Sequence, residues 1–122
     1  GSKVSIVTYG LGVHWALDLL NQYSKNDLEI IDLNTLIPWD KELVFNSIKK
    51  TGKVLLLGED TIFNSYIGEI SAVISEEIFE YLDAPVIRVG SLDTPVPFAK
   101  NLEEGFQASY KLKDKLDYLL NY

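Results

Sequence analysis

The sequence contains no cysteine, which excludes disulfide bonds, thiolate nucleophiles and cysteine-ligated metal sites. It has a single histidine, His14, so a metal site would need carboxylates, and their spacing shows no cage. No apolar run approaches the roughly 18 residues that a membrane helix requires, and no basic and apolar signal segment is visible. We therefore expect a cytoplasmic protein with no membrane partner.

Positive charge is also scarce. There are 11 Lys and Arg residues against 18 Asp and Glu, giving a formal charge of −7, and nucleic-acid binding needs the opposite balance. Between residues 59 and 104 the only basic residues are Arg88 and Lys100. The acidic residues in that stretch are Glu59, Asp60, Glu69, Glu76, Glu77, Glu80, Asp83, Asp93, Glu103 and Glu104. They form either ordinary solvated helix faces or a docking surface for a basic partner.

A length of 122 residues corresponds to about one domain, in which short apolar runs alternate with helical patterns. We predict strands near residues 4–8, 28–33, 53–57 and 86–89, and helices near 12–23, 40–50, 66–82 and from 109 onward. Strand and helix in alternation call for a parallel sheet with right-handed crossovers. The predicted fold is a doubly wound, three-layer α/β/α domain with four strands in the order 2-1-3-4.

Several residues mark the ends and inner faces of these helices. Asp40 is the expected N-cap of the second helix, and Asn64-Ser65 can cap the third. The expected inward-facing side chains are Val13, Ala16, Leu17 and Leu20; Leu43, Val44 and Ile48; Ile67, Ile70, Ile74, Ile78 and Leu82; and Leu112, Leu116 and Leu119.

Ligands of open parallel sheets bind where the strand order reverses, which places the predicted crevice between Gly10–His14 and Gly58–Asp60. Gly10 and Gly12 match the start of a dinucleotide fingerprint, but Trp15 stands where its third glycine should be, so we interpret the segment as a tight turn. We interpret His14 as a packed or hydrogen-bonded residue. Glu59 and Asp60 could form a general acid/base pair, but adjacent carboxylates are more often loop polarity. We predict no catalytic, cofactor-binding or metal-binding residue.

Several segments between Val4 and Glu103 resemble a known protein family. The opening segments Val4–Gly10 and Val13–Leu17, followed by Ile31–Asp40, are similar to the transketolase C-terminal-type domain of the beta subunit of 2-oxo acid dehydrogenase decarboxylating components. The likeness continues in the same register through Phe79–Val86, Arg88-Val89, Asp93–Ala99 and Leu102-Glu103. The sequence departs from the family at Gly58-Glu59, where a His-Glu pair is usual, and at Asn64-Ser65, where two glycines are usual.

Gly1-Ser2 by themselves resemble an expression scar. The resemblance to the family implies that residues 3–122 are a single domain of this type and a fragment of a larger enzyme. That parent would bind thiamine diphosphate and Mg²⁺ in domains outside this fragment, and would couple oxidative decarboxylation of a 2-oxo acid to acyl transfer onto a lipoyl group. The implied partners are an alpha-type subunit or domain, a second beta subunit, and the basic subunit-binding domain of the acyltransferase core. The candidate interface residues are His14, Glu59, Asp60, Glu69, Glu76, Glu77, Glu80, Asp93, Pro95 and Pro97.

Two alternatives remain open. The fragment could be the matching domain of a transketolase or a deoxyxylulose-phosphate synthase, although Asp93–Ala99 favours the dehydrogenase branch. It could also be a stand-alone ligand-binding or signalling domain of flavodoxin-like topology, which would need a phosphate-cradling first loop or an Asp-and-Lys constellation. Neither feature is evident in the sequence.

Overall fold

The structure, a computed structural model, describes residues 1–24, 26–93, 99–100 and 108–122. Its sheet has four strands: β1 (Val4–Thr8), β2 (Leu28–Asp32), β3 (Val54–Thr61) and β4 (Ile87–Ser91). All three pairings are parallel, and the order is β2-β1-β3-β4. The predicted fold class and strand order are confirmed.

Helices cover both faces of the sheet. Those that lie wholly within the described residues are α1 (Leu11–Leu20), α2 (Lys41–Thr51), α3 (Tyr66–Glu77) and α4 (Ser109–Asn121), together with a 3₁₀ turn at Phe79–Tyr81. Helices α1 and α4 pack on one face, and α2 and α3 pack on the other. The crossover through α1 runs from β1 to β2, whereas the crossovers through α2 and α3 both run in the opposite direction, so right-handed connections place them on opposite faces. No helix in the described ranges has the length and hydropathy needed to cross a bilayer.

Alternate residues of the central strands point into two separate hydrophobic layers. Ile6, Leu55 and Leu57 face α1 and α4, whereas Val7 and Leu56 face α2 and α3. The layer under α1 and α4 joins the first strand to the last helix, through Val4, Ile6, Leu112, Leu116 and Leu119. The layer under α2 and α3 is built from Val7, Ile31, Leu33, Val44, Ile48, Val54, Leu56, Ile67, Ile70, Ile74 and Ile78.

The N-caps of α2 and α3 lie at the residues that the sequence predicted, Asp40 and Ser65. Asp40 Oδ1 accepts a hydrogen bond from the Leu43 amide at 3.0 Å, and Ser65 Oγ accepts one from the Gly68 amide at 3.3 Å. Gly52 closes α2 with φ at 72°, a left-handed conformation that glycine adopts without a Cβ penalty. These contacts satisfy amide and carbonyl groups that a helix leaves free at its ends.

Some local expectations were wrong. Leu17 and Leu43 are 47% and 50% exposed, because the inner faces of α1 and α2 are centred on Ala16 and Val44 instead. The third helix does not run unbroken to residue 82. It leaves helical geometry at Ile78, with φ at −136° and ψ at 26°, which places that side chain in the core at 3% exposure. Strand β3 extends four residues beyond the predicted Leu57, through an irregular register with β4.

A buried polar contact between α2 and β1 was not predicted. Ser5 Oγ lies 2.7 Å from both Ser47 Oγ and Thr51 Oγ1, and Thr51 Oγ1 donates to the Lys53 carbonyl at 3.1 Å. Hydrogen bonding offsets the cost of placing these hydroxyl groups away from water. The contact therefore adds a polar constraint on the position of α2 to the apolar packing of Val44 and Ile48.

Candidate functional site

The strand order reverses between β1 and β3, so their carboxyl ends border the crevice in which an open parallel sheet binds ligands. Gly10 turns the chain from β1 into α1 with φ at 59°. A Cβ added at Gly10 would lie 3.3 Å from Glu59 Oε2, so the Glu59 carboxylate sits beside the first turn of α1. The positive end of the helix dipole favours a carboxylate there.

Tyr9 fills the floor of this crevice. A Cβ added at Gly58 would lie 3.3 Å from both the Tyr9 hydroxyl and Ile67 Cγ2. The rings of Tyr9 and Tyr66 meet edge to face with centroids 6.4 Å apart. Burial raises the pKa of the Tyr9 phenol, and the nearby Asp60 and Glu59 carboxylates raise that pKa further. A larger side chain at position 58 would have to displace Tyr9 or Ile67, which gives a physical reason for the glycine.

The turn at Gly10–Gly12, which resembles the start of a dinucleotide fingerprint, leaves no space for a ligand between α1 and the sheet at Gly12. A Cβ added at Gly12 would lie 2.1 Å from Thr8 Oγ1 and 3.3 Å from Leu57 Cγ, so α1 rests directly on β1 and β3. Trp15 packs against the hydrophobic layer below α1. This geometry supports the interpretation of the segment as a tight strand-to-helix turn.

The crevice does not fit a thiamine diphosphate and Mg²⁺ site. Within the described ranges, no group of three or more His, Asp or Glu side chains could hold a metal ion. Glu59 and Asp60 are exposed and add negative charge at this edge, which disfavours a diphosphate that no metal ion bridges to them. We therefore assign no chemical step through that cofactor to this chain.

The predicted acidic residues fall into two groups at opposite ends of α3. Glu59, Asp60 and Asp93 lie at or just beyond the carboxyl ends of β3 and β4, and Glu69 is in the first turn of α3. Glu76, Glu77 and Glu80 lie at the other end of α3 and in the 3₁₀ turn, about 12 Å away at 1.5 Å per helical residue.

Two of these acidic residues already have partners within the chain. Lys41 Nζ lies 2.5 Å from Glu77 Oε1, which links α2 to α3. Asp93 Oδ1 accepts a hydrogen bond from the Phe63 amide at 3.0 Å. His14 is exposed on α1, on the opposite face of the sheet from α3, so the interpretation of it as a packed residue was wrong. Pro95 and Pro97 lie outside the described residues.

A groove that the sequence did not predict lies near the second acidic group. Its volume is about 490 Å³, and it is open along the entry to β4. Ser75, Phe79 and Asp83 form part of its wall together with Tyr122 at the end of α4. Phe79 is 72% exposed, so the groove presents an aromatic surface beside the glutamates of α3.

The family model described as "Transketolase, C-terminal domain" matches residues 1–111 of the chain. The chain belongs to this family. Similar proteins include the 2-oxoisovalerate dehydrogenase subunit beta of Bacillus subtilis, which is 39% identical over 89% of this chain and 34% of its own length. The pyruvate dehydrogenase E1 component subunit beta of Rickettsia felis is 41% identical over 85% of this chain and 32% of its length.

The fold of this transketolase C-terminal domain has a solved counterpart. A structure described as "Split gene transketolase, inactive beta4 tetramer" superposes with a TM-score of 0.78 at 26% identity, covering 99% of this chain and 39% of that one. The family predicted from the sequence and its likeness to dehydrogenase beta subunits are therefore confirmed. The chain spans about one third of the length of the dehydrogenase subunits that it matches.

Proposed function

We propose that this chain is the C-terminal assembly and docking domain, within a longer polypeptide, of the beta part of a thiamine-diphosphate-dependent 2-oxo acid dehydrogenase. Similarity to beta subunits of 2-oxoisovalerate and pyruvate dehydrogenases supports this proposal. The parent enzyme decarboxylates a 2-oxo acid oxidatively and transfers the acyl group to a lipoyl group. Thiamine diphosphate and Mg²⁺ bind elsewhere in that parent, and the isolated domain is inactive.

The last turn of α3 carries the observation on which the docking role rests. It contains Glu76 and Glu77 and no basic residue, and Glu80 follows in the 3₁₀ turn. Carboxylates at this end of a helix face the negative end of its dipole, which disfavours them by a few tenths of a kcal/mol to about 1 kcal/mol each. A basic partner would relieve that repulsion, and the aromatic groove beside these residues offers it apolar contact. The proposed partner at this end is the basic subunit-binding domain of the acyltransferase core.

The same proposal assigns the alpha-type subunit or domain and a second beta subunit as assembly partners. A solved relative of similar fold is described as a beta tetramer, which supports self-assembly of beta chains. The proposed contact residues are the candidate interface set, of which Glu77 and Asp93 also make contacts within the chain.

Charge reversal at Glu76 and Glu80 tests the docking role. We expect the double variant Glu76→Lys/Glu80→Lys to bind the subunit-binding domain with an association rate about tenfold lower at low salt, because long-range attraction is lost. The difference should shrink toward none near 0.5 M salt, where the Debye length falls to a few ångströms. Stopped-flow fluorescence measures both rates.

Asp18 provides the matched control, because it is exposed on α1, on the other face of the sheet. The variant Asp18→Lys changes the net charge in the same direction and should leave most of the association rate intact. An unchanged rate for the double variant at low salt, or an equal loss in both variants, would contradict docking at this end of α3.

Calorimetry tests the inactivity of the domain separately. Titration of the isolated chain with thiamine diphosphate and Mg²⁺ should give no binding heat. Saturable binding of the cofactor to this chain would contradict the assignment of the cofactor to other domains.

A further inference from the structure

Phe63 projects from the loop between β3 and α3 with 77% of its surface exposed. A single exposed apolar residue is ordinary in a protein surface. Phe63 differs because its loop is held in one conformation. Hydrogen bonds of Asp93 and Ser65 and the left-handed backbone of Asn64 fix that conformation.

The Phe63 amide donates to Asp93 Oδ1 at 3.0 Å, which ties the loop to the end of β4. Asn64 adopts a left-handed conformation with φ at 52°, which reverses the chain directly after the phenylalanine. Ser65 Oγ donates to the Ile62 carbonyl at 2.9 Å and accepts the Gly68 amide at 3.3 Å. A loop fixed in this way presents its side chain without an ordering cost at the moment of binding.

The neighbouring loops at the same edge also present apolar side chains. Because the strands are parallel, all four loops that follow them lie at one edge, within about 15 Å at 4.8 Å per strand. The exposed apolar residue is Leu11 after β1, Ile37 after β2 and Leu92 after β4, at 43%, 88% and 42% exposure. Each of the four strand ends, including that of Phe63, is thus followed by an exposed apolar residue, and we call these four residues the apolar rim. Apolar side chains gathered at one edge of a domain can form an interaction site.

Acidic side chains around the apolar rim indicate the charge that a partner surface must carry. Glu59 and Asp60 are exposed on β3, Glu69 is exposed in the first turn of α3, and Asp93 is exposed beside Phe63. A second copy that presented the same edge would meet these carboxylates with like charge. Lysine or arginine side chains around an apolar pocket would complement them.

We infer that the loop of residues 61–65 is a preorganised anchor for a second protein chain, whose surface provides an apolar pocket for Phe63 bordered by basic residues. This contact lies at the carboxyl edge of the sheet, at the opposite end of α3 from Glu76 and Glu80. It rests on the assembly role proposed above, because Glu59, Asp60, Glu69 and Asp93 belong to the candidate interface set. It does not rest on docking at Glu76 and Glu80, so either contact can fail while the other holds.

Site-specific photocrosslinking in the full-length chain, produced in its own cell, tests the inference. The photoreactive residue p-benzoyl-phenylalanine replaces Phe63 in one variant and Leu17 in a control, which is also exposed but lies on the outer side of α1, away from both proposed contacts. We expect position 63 to crosslink to a different polypeptide, at a peptide with lysine or arginine near the attachment point. Mass spectrometry of the crosslinked peptide identifies it.

Adding Asp60→Lys to the position-63 variant should lower the crosslink yield about fivefold, because the basic border would then be repelled. Adding Asp18→Lys should not lower it. For the partner so identified, Phe63→Ser should weaken binding about thirtyfold, the loss typical of a buried aromatic anchor. Absence of a crosslink at position 63, a crosslink within the same chain or to a second copy, or a target peptide without basic residues would each overturn the inference.

Discussion

Replacing Gly12 with alanine sets helix propensity against packing, and the structure predicts which effect prevails. Gly12 is the second residue of α1, where alanine would normally stabilise the helix by up to about 1 kcal/mol. The new methyl group, however, would lie 2.1 Å from Thr8 Oγ1 and 3.3 Å from Leu57 Cγ. Optimal contacts of a carbon atom are at roughly 3.5 Å or more.

Neither neighbour can move away easily. Thr8 is fully buried on β1, whose backbone is paired on both sides, and Leu57 is fully buried on β3. Overpacking of this kind costs typically about 1–3 kcal/mol, and the short approach puts Gly12→Ala at the upper end. Subtracting the helical gain leaves a net destabilisation of about 2 kcal/mol.

Urea unfolding followed by tryptophan fluorescence measures this difference. With a slope of about 2 kcal/mol per molar urea, the midpoint should fall by about 1 M. Gly68→Ala is the matched control, because its added Cβ meets nothing closer than 3.5 Å in the first turn of α3. That variant should be neutral or slightly stabilised.

A double-mutant cycle isolates the clash itself. Thr8 Oγ1 is buried without a hydrogen-bond partner among the described residues, so Thr8→Ala removes the obstacle without breaking a bond. In that background the remaining tight contact with Leu57 should offset the helical gain, so Gly12→Ala should cost close to nothing, which gives a coupling energy of about 2 kcal/mol. Additive effects of the two substitutions, or a stabilised Gly12→Ala variant, would refute the packing argument.

Three further expectations concern single side chains. Asp40→Ala removes the N-cap of α2 and should lower the free energy of unfolding in urea by about 1 kcal/mol. Tyr23 donates to Asp117 at 2.7 Å, and burial together with this bond raises the pKa of the phenol. Its stabilising effect should therefore be present below the unfolded pKa of about 10 and lost as pH rises through the folded value, and Tyr23→Phe should abolish this pH dependence in thermal unfolding. Burial would raise the pKa of Glu29, but its hydrogen bond and charge interaction with Lys50 outweigh burial and lower it. Stability from Glu29 should be present above the unfolded pKa and lost as pH falls through the folded one, so Glu29→Gln should flatten the acid limb of urea midpoints measured against pH.

The sequence was sufficient to predict the sheet because both sides of it are covered. Strand β3 begins with the apolar run Val54–Leu57, which has no polar alternation, as expected for a strand between two helical layers. Alternation of such runs with helical patterns then allowed few topologies, and the strand order 2-1-3-4 was among them. The N-caps at Asp40 and Ser65 were also predictable, because their bonds are local.

Features that depend on contacts between distant residues were not predictable in the same way. Tyr9 reaches the crevice because Gly58, on another strand, leaves room for its hydroxyl group. Phe63 is held outward by Asp93, which lies 30 residues further along the chain. Ser47 is buried, although serine is usually exposed, because Ser5 on β1 supplies a hydroxyl partner. The available sequence signal for the crevice is Tyr9 directly before Gly10 at the end of β1.

The two hydrophobic layers differ in how much of the chain must be made before they can form. The layer beneath α2 and α3 draws its buried residues from Val7 to Ile78, so its parts are all present once α3 has been synthesised. The opposite layer joins Val4 and Ile6 to Leu116 and Leu119, and it stays open until α4 has left the ribosome. On a nascent chain one face of the sheet can therefore close while the other still exposes apolar surface. Transiently exposed apolar surface of this kind makes a folding intermediate prone to aggregation.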